Sequence, residues 1–206
     1  MTAFVPYATF MKHAKKVAKG SVVKTRPILS TVYHSDKHVA VTDSHRLYVA
    51  TGLYDGEAKT LDAQTGQEID HGKYPDVERL IADSANAEYR YSLPVDALYD
   101  AVRAIEIAGR LNKSTDLMQI QVNDDLIRFK TDDKTAFDVE YSVGNADSTS
   151  ELYTMTLSIK YLKEAVHVLK DAKAENVTIE YFGATRPLQI RAGNFTAIVL
   201  PVRTSY

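Results

Sequence analysis

Lys37-His38-Val39-Ala40-Val41-Thr42-Asp43-Ser44-His45-Arg46-Leu47-Tyr48-Val49-Ala50 is the stretch of sequence that carries most of the information about the fold. Its two ends are rich in β-branched and apolar residues, and between them lies a short polar segment, Asp43-Ser44-His45. Strand-forming runs on either side of polar turn residues predict two β-strands joined by a tight connection. The polar centre is also the part of the chain where side chains of several chemical types come together.

Three further segments complete the pattern: Thr25-Arg26-Pro27-Ile28-Leu29, Tyr74-Pro75-Asp76 and, close to the end of the sequence, Leu200-Pro201-Val202-Arg203. Together with Thr42 to Leu47, these segments resemble the bacterial sliding clamp, the β subunit of DNA polymerase III. In that family they build a peptide-binding pocket at the junction of the last two domains. The resemblance extends over nearly the whole chain.

The sequence of residues 88–206 predicts two consecutive copies of one structural unit. A short strand, a helix and three further strands are predicted in each copy, with helices at about 94–111 and 158–172. Leu98 and Leu162 occupy matching helix positions, about 60 residues apart. A third, looser copy with a helix at about 7–18 begins the chain, but residues 51–87 contain a hairpin where a further helix would be expected.

This organisation is the domain plan of the sliding clamps, and it implies an α+β, DNA-clamp-like fold with antiparallel sheets and helices on one face. A bacterial clamp has three full domains. The present chain resembles a shortened form: a partial second domain at 1–87, with one helical unit plus a hairpin, and a complete third domain at 88–206.

Composition excludes several classes of protein. The 206 residues include no cysteine, which rules out disulfides and thiolate metal sites and favours a cytoplasmic location. No signal peptide is recognisable at the start, and no apolar run approaches the roughly 18 residues that a membrane-spanning helix needs. The net charge of −2 argues against a protein that binds nucleic acid over its whole surface.

Asp43, Ser44 and His45 invite comparison with a hydrolase triad. Neighbouring residues on a strand point to opposite faces, so these three side chains are not expected to converge on one proton-transfer line. His34 and His38 have the spacing of a helical metal site, but the residues between them predict a turn. We therefore expect no catalytic residue, no metal and no cofactor.

The resemblance instead implies a peptide-binding pocket, in which aliphatic side chains hold an apolar anchor and polar groups line the rim. Ile81 would close the junction; the family commonly has a proline at the next position, where this chain has Ala82. The expected pocket residues are Leu29, Thr42, Ser44, His45, Arg46, Leu47, Ile81, Ile198, Leu200, Pro201, Val202 and Arg203.

Lysines follow one side of two predicted helices. On their own, such residues are typical of the solvated face of an amphipathic helix. In a sliding clamp the helices line the DNA channel, so the resemblance implies that these lysines contact phosphates without reading bases. The expected DNA-binding residues are Lys12, Lys15, Lys16, Lys19, Lys160, Lys163 and Lys170.

The sequence thus predicts a non-enzymatic, sliding-clamp-like protein of DNA replication. Its expected partners are double-stranded DNA, bound non-specifically, and replication proteins that carry a clamp-binding peptide motif. Head-to-tail homo-oligomers would be needed to close a ring, and no membrane association is expected. The alternative is a decoy or regulator that binds partner peptides without encircling DNA.

Overall fold

Three helices organise the computed structural model, which describes residues 3–19, 25–111, 116–131, 139–145 and 150–203. They are α1 (Tyr7–Val17), α2 (Val95–Leu111) and α3 (Ile159–Asp171), with short 3₁₀ helices at Pro27–Ser30, Glu78–Leu80 and Ser84–Asn86. Within these ranges, none of the helices has the length and apolar character that crossing a membrane requires.

The helices begin and end close to where the sequence places them. Ser158 caps α3: its Oγ accepts a hydrogen bond from the Tyr161 backbone N–H at 3.3 Å. Leu98 of α2 and Leu162 of α3, the matching residues of the repeat, are both fully buried. The apolar stripe that predicted each helix is therefore the face that enters the core.

Twelve strands make up the described part of the two sheets. They are β1 (Thr31–His34), β2 (His38–Thr42), β3 (Arg46–Thr51), β4 (Lys59–Asp62), β5 (Tyr89–Pro94), β6 (Leu117–Val122), β7 (Leu126–Thr131), β8 (Glu140–Gly144), β9 (Tyr153–Ser158), β10 (Asn176–Tyr181), β11 (Leu188–Ala192) and β12 (Phe195–Val199). The large sheet has the order β4-β1-β2-β3-β12-β11-β10-β5 and the small sheet the order β8-β7-β6-β9. Every pairing is antiparallel.

The large sheet runs without a break across the predicted boundary between residues 87 and 88. Strand β3 pairs with β12, and Leu47 lies opposite Ile198 in that ladder. The α+β fold with antiparallel sheets and helices on one face is confirmed, whereas the division into domains at 87/88 stays a prediction. The outer edge of β4 is covered by the chain itself: Thr60 O accepts from the Ile69 N–H at 3.0 Å, and the Asp62 N–H donates to Gln67 O at 2.8 Å.

The two faces of the large sheet enter different apolar clusters. Tyr48 and Ala197 point toward the helices and join the main core, which also contains the inner face of the small sheet. Leu47, Val49 and Ile198 point the other way, into a smaller cluster on the outer face. The period of two along each strand thus gives this sheet a helix-facing side and an outer side.

Helices α1 and α3 meet through a buried polar contact. His13 is 1% exposed, and its Nε2 lies 2.8 Å from Asp171 Oδ2, which also accepts from Lys12 Nζ at 2.7 Å. The hydrogen bond from Lys12 lowers the pKa of Asp171 to about 2, with a further contribution from His13. Burial lowers the pKa of His13, and this effect outweighs the opposing effect of its contact with Asp171.

Acidification is expected to destabilise the fold in two steps. Burial lowers the pKa of His13, His34 and His38, so below their ordinary value of 6.5 the unfolded chain takes up protons more readily than the folded one. The contribution of Asp171 is present above its ordinary pKa of 3.8 and is lost as the pH falls toward 2. The melting temperature, followed by circular dichroism, should therefore fall between about pH 7 and pH 5. His13→Gln should reduce that dependence, and an unchanged slope would contradict the assignment.

Candidate functional site

Four of the predicted pocket residues, from distant parts of the sequence, meet on the outer side of the large sheet. Leu29, Leu47 and Ile198 are buried in one cluster, and the partly buried Ile81 packs against it. We call this group the outer cluster. Its buried members are Ile28, Leu29, Ala40, Leu47, Val49, Tyr74, Val77 and Ile198.

The connection between β2 and β3 is a closely bonded turn. Thr42 Oγ1 donates to Arg46 O at 2.7 Å and accepts from the Ser44 N–H at 3.2 Å. Asp43 Oδ1 accepts from the backbone N–H groups of His45 and Arg46, both at 3.0 Å. Ser44 has a φ of 73°, in the left-handed region that is unfavourable for residues other than glycine. The side-chain hydrogen bonds hold this conformation and fix the shape of the turn.

The side chain of Arg46 lies on the helix-facing side of the sheet and so stands apart from the outer cluster. It is buried, and its Nε donates to Asp43 Oδ2 at 3.1 Å. Its Nη1 donates to a carboxylate oxygen of Glu164 in α3, and the guanidinium lies 4.7 Å from the ring centre of Tyr161. The reason is the strand alternation itself, since Arg46 and Leu47 are neighbours and point to opposite faces. Arg46 thus stabilises the turn from the helix-facing side of the sheet, through its bond to Asp43.

The rim of the outer cluster is formed by the turn and by the segment after β12. His45 is exposed and stacks on Tyr161, with ring centres 5.9 Å apart. The Leu200 N–H donates to His45 O at 2.9 Å, and the Val202 N–H donates to Thr156 O of β9 at 2.8 Å. Leu200 and Val202 have 39% and 37% of their surface exposed. Pro201 and Arg203 belong to the same segment. Apolar surface therefore remains accessible beside the cluster.

Tyr74 and Tyr161 are site residues that were not among the expected pocket residues. The Tyr74 hydroxyl accepts from the Thr42 N–H at 3.2 Å, and burial raises its pKa so that it stays protonated. The motif Tyr74-Pro75-Asp76 was a signal for Tyr74, although it did not reveal that the ring reaches β2. Tyr161 lies in the first turn of α3 and carries no sequence signal of this kind.

Ile81 is followed by a backbone anchor. The Ala82 N–H donates to Gln189 Oε1 and the Ala82 carbonyl accepts from Gln189 Nε2, both at 3.1 Å. The amide of Gln189, in β11, therefore holds the segment after Ile81 by its backbone. Alanine can take part in these bonds, so the position does not depend on the proline that the family commonly has.

No arrangement suited to a triad is formed by the polar residues of the turn. Both oxygens of Asp43 are used by Arg46 and by backbone N–H groups, and His45 points to Tyr161. His34 is held by the Val32 carbonyl and by the Tyr7 hydroxyl. Across the described ranges there is no group of three or more histidine, cysteine, aspartate or glutamate side chains placed to hold a metal.

The predicted DNA-binding lysines fall into two groups. Three are tied to carboxylates: Lys12 to Asp171 and Lys170 to Asp96, each at 2.7 Å, and Lys163 to Glu106 at 2.6 Å. The remaining four are exposed, and within the part of the chain that the structure describes they form no ion pair. These are Lys15, Lys16, Lys19 and Lys160.

Comparison with known proteins places this fold. No protein-family model matches the chain, and no curated protein matches it either. Among solved structures, the β chain of DNA polymerase III from Streptococcus pneumoniae matches with a TM-score of 0.73 at 19% identity, over 99% of this chain and 66% of that one. The DNA polymerase sliding clamp from Bacillus subtilis matches with a TM-score of 0.71 at 18% identity, over 100% of this chain and 65% of that one.

The DNA polymerase III subunit β from Pseudomonas aeruginosa gives a TM-score of 0.71 at 13% identity, over 98% of this chain and 67% of that one. At these identities the likeness is one of fold. The sliding-clamp fold that the four segments predicted is therefore confirmed, and this chain spans about two thirds of the length of these structures.

Proposed function

We propose that this chain is a non-enzymatic, clamp-like protein of DNA replication that binds short peptide segments of its partners in the cytoplasm. The observation that carries the proposal is the meeting of Leu29, Leu47 and Ile198 in one apolar cluster beside the exposed Leu200 and Val202. The likeness to sliding clamps supports the same function. Peptide binding needs no reacting group, in keeping with the structural roles of Asp43 and His45.

The site has the parts that a peptide anchor requires. Accessible aliphatic surface lies at the rim, above a packed apolar floor, and removal of that surface from water provides the binding energy. The exposed ring of His45 can form hydrogen bonds to polar atoms of the peptide. This division of apolar floor and polar rim is typical of recognition sites for short segments.

Isothermal titration calorimetry tests the proposal directly. A clamp-binding peptide that carries a glutamine and a Leu-Phe anchor should bind with a dissociation constant near 1 μM, or about −8 kcal/mol. The matched control is the same peptide with alanine at both anchor positions, which should bind far more weakly. Equal heats for the two peptides, or no binding of either, would contradict the peptide site.

Contact with double-stranded DNA is the second part of the proposal, and it rests on the four lysines that form no ion pair with any described residue. Three of them, Lys15, Lys16 and Lys19, lie together at the end of α1 and just after it. The other three predicted lysines already face carboxylates, which reduces the positive charge that they offer to phosphates. We therefore expect weak binding that does not depend on DNA sequence.

Charge reversal of that group should remove DNA binding. In fluorescence anisotropy with a labelled duplex, affinity should fall steeply as salt rises, because counterions are released. Lys15→Glu, Lys16→Glu and Lys19→Glu together should abolish binding, with little change in melting temperature since exposed lysines contribute little to stability. A triple variant with the affinity of the original protein would contradict the assignment.

Head-to-tail assembly is also part of the proposal. The large sheet ends in β4 on one side and β5 on the other. Because residues 67–69 cover the outer edge of β4, an assembly would bring the β5 end of one copy against a surface other than a free β4 edge. Light scattering coupled to size-exclusion chromatography measures the resulting mass.

A further inference from the structure

A concave surface lies on the outer side of the large sheet, beyond the outer cluster. It is a cleft of about 560 Å³ between β1, β4 and the segment 68–78. One wall is aromatic: the rings of Tyr33 and Tyr74 stack with centres 5.4 Å apart and planes at 16°. This volume falls in the range of sites that bind small ligands or peptide side chains.

The cleft is continuous with the proposed peptide site. Tyr74 and Val77 line the cleft and also belong to the outer cluster, and Tyr33 packs against that cluster. In the sheet, Tyr33 of β1 lies opposite Ala40 of β2, which lies opposite Val49 of β3. All three residues are on the outer face, so the packed apolar layer that contains Leu47 and Ile198 extends to the cleft.

The distance between the two places suits a short extended segment. Four strand spacings separate β12, which carries Ile198, from β4 at the far side of the cleft. At about 4.8 Å for each spacing, this is roughly 19 Å, or the length of about six extended residues. A peptide anchored at the outer cluster therefore reaches the cleft with residues that flank the anchor.

The charges around the cleft favour a cation. Four carboxylates line it against Lys59 and Lys73, and the Lys59 Nζ lies 5.3 Å from the ring centre of Tyr54, on the helix-facing side of the sheet with its ladder partner His34. Glu78 is paired with Lys37 at 3.1 Å and Asp76 with Arg79 at 2.9 Å, whereas the exposed Glu68 and Asp70 form no ion pair within the described ranges. Asp70 Oδ1 accepts only from the Gly72 N–H among those residues, at 2.8 Å.

His38 adds one ring nitrogen that has no hydrogen-bond partner in the part of the chain that the structure describes. It lines the cleft, its ring centre lies 5.7 Å from that of Tyr33, and it is 7% exposed. Its Nε2 is buried and has no hydrogen-bond partner among the described residues. Buried polar atoms are nearly always hydrogen-bonded in native structures, so an unpartnered one beside a cleft is consistent with a site completed by a ligand.

We propose that the cleft binds a basic residue, arginine in particular, of the same partner peptide, about four to seven positions from its apolar anchor. Arginine combines a planar cation that packs on tyrosine rings with N–H groups that bond to carboxylates. The anchor provides affinity, and the cleft selects among peptides that share the anchor. This inference rests on the proposed peptide site and adds the chemistry of the flanking residues.

The experiment compares three synthetic peptides by fluorescence anisotropy. The first is the anchor peptide alone; the second carries six further residues, prepared on either side of the anchor, with two arginines at the far end; the third has glutamates in place of the arginines. We expect the arginine extension on one side to tighten binding about 5- to 10-fold, and the glutamate extension to give no gain. The gain should shrink as salt rises.

Protein variants test whether the gain in affinity from the arginine extension comes from the cleft. Glu68→Gln with Asp70→Asn removes two exposed charges at nearly constant shape, and it should abolish the arginine gain while the anchor peptide binds as before. Asp124→Asn with Glu151→Gln, two exposed carboxylates elsewhere, should leave the gain intact. Equal binding of arginine and glutamate extensions, or a gain that survives in the cleft variant, would overturn the inference alone. Failure of the anchor peptide itself would contradict the proposed function.

Discussion

Arg46→Ala is expected to lower the free energy of unfolding by about 3–5 kcal/mol. Arg46 and Asp43 are 4% and 2% exposed, and the guanidinium is the group that neutralises both Asp43 and Glu164. Its removal leaves a buried carboxylate without a counter-charge inside the protein, and the lost packing on Tyr161 adds to the effect. Urea unfolding followed by circular dichroism measures the change.

Two further variants separate the charge effect from the loss of volume. Glu164→Gln should cost less than Arg46→Ala, because the Glu164 side chain is 20% exposed and Asp43 still faces the guanidinium. Arg46→Met with Asp43→Asn removes both buried charges and should recover much of the loss. If Arg46→Ala unfolds at the same urea concentration as the original protein, the ion pair has no stabilising role.

The second large effect concerns binding. Leu200→Ala is expected to weaken the anchor peptide by roughly 1–3 kcal/mol, or about 5- to 150-fold, because it removes accessible aliphatic surface at the rim. The free energy of unfolding of the Leu200→Ala variant should differ from that of the original protein by less than about 0.5 kcal/mol, since 39% of Leu200 is already exposed. Calorimetric titration and a melting curve on the same sample give both quantities.

Leu111→Ala is the matched control, since Leu111 is an exposed leucine at the end of α2 and outside the proposed pocket. It should leave peptide binding unchanged. Leu47→Ala is a poorer test: the residue is 2% exposed, and its truncation should cost about 2–5 kcal/mol of stability as well as the anchor site. If the Leu200→Ala and Leu111→Ala variants bind the anchor peptide with equal affinity, Leu200 is not part of the pocket.

Much of the fold could be predicted because it follows from short-range periodic patterns of apolar residues. The alternation from Val39 to Ala50 predicted two strands, and the matching leucines at 98 and 162 predicted a repeated unit. The same alternation contains the information that Arg46 and Leu47 face opposite ways. Family resemblance grouped these neighbours in one pocket, whereas strand geometry separates them, and geometry decides where a side chain lies.

The partners of charged residues could not be predicted in this way. Lys12 and Lys15 look alike in the sequence, yet Lys12 meets Asp171 of another helix and Lys15 forms no ion pair in the described part of the chain. Glu164 and Tyr161, which hold Arg46 and His45, lie more than a hundred residues away from them. Such contacts depend on how the helices pack on the sheet, and a local period carries no information about that.

The pairing of β3 with β12 has a consequence for biosynthesis. The partner strand of β3, Phe195–Val199, is made long after β3 itself, so the amino-terminal half cannot complete its sheet until that strand has been synthesised. Contacts between strands so far apart in sequence also slow folding. Until that strand is made, β3 presents an unpaired edge of the kind on which nascent chains associate wrongly. A chain truncated before Phe195 would lack both the partner strand of β3 and the rim leucine, Leu200.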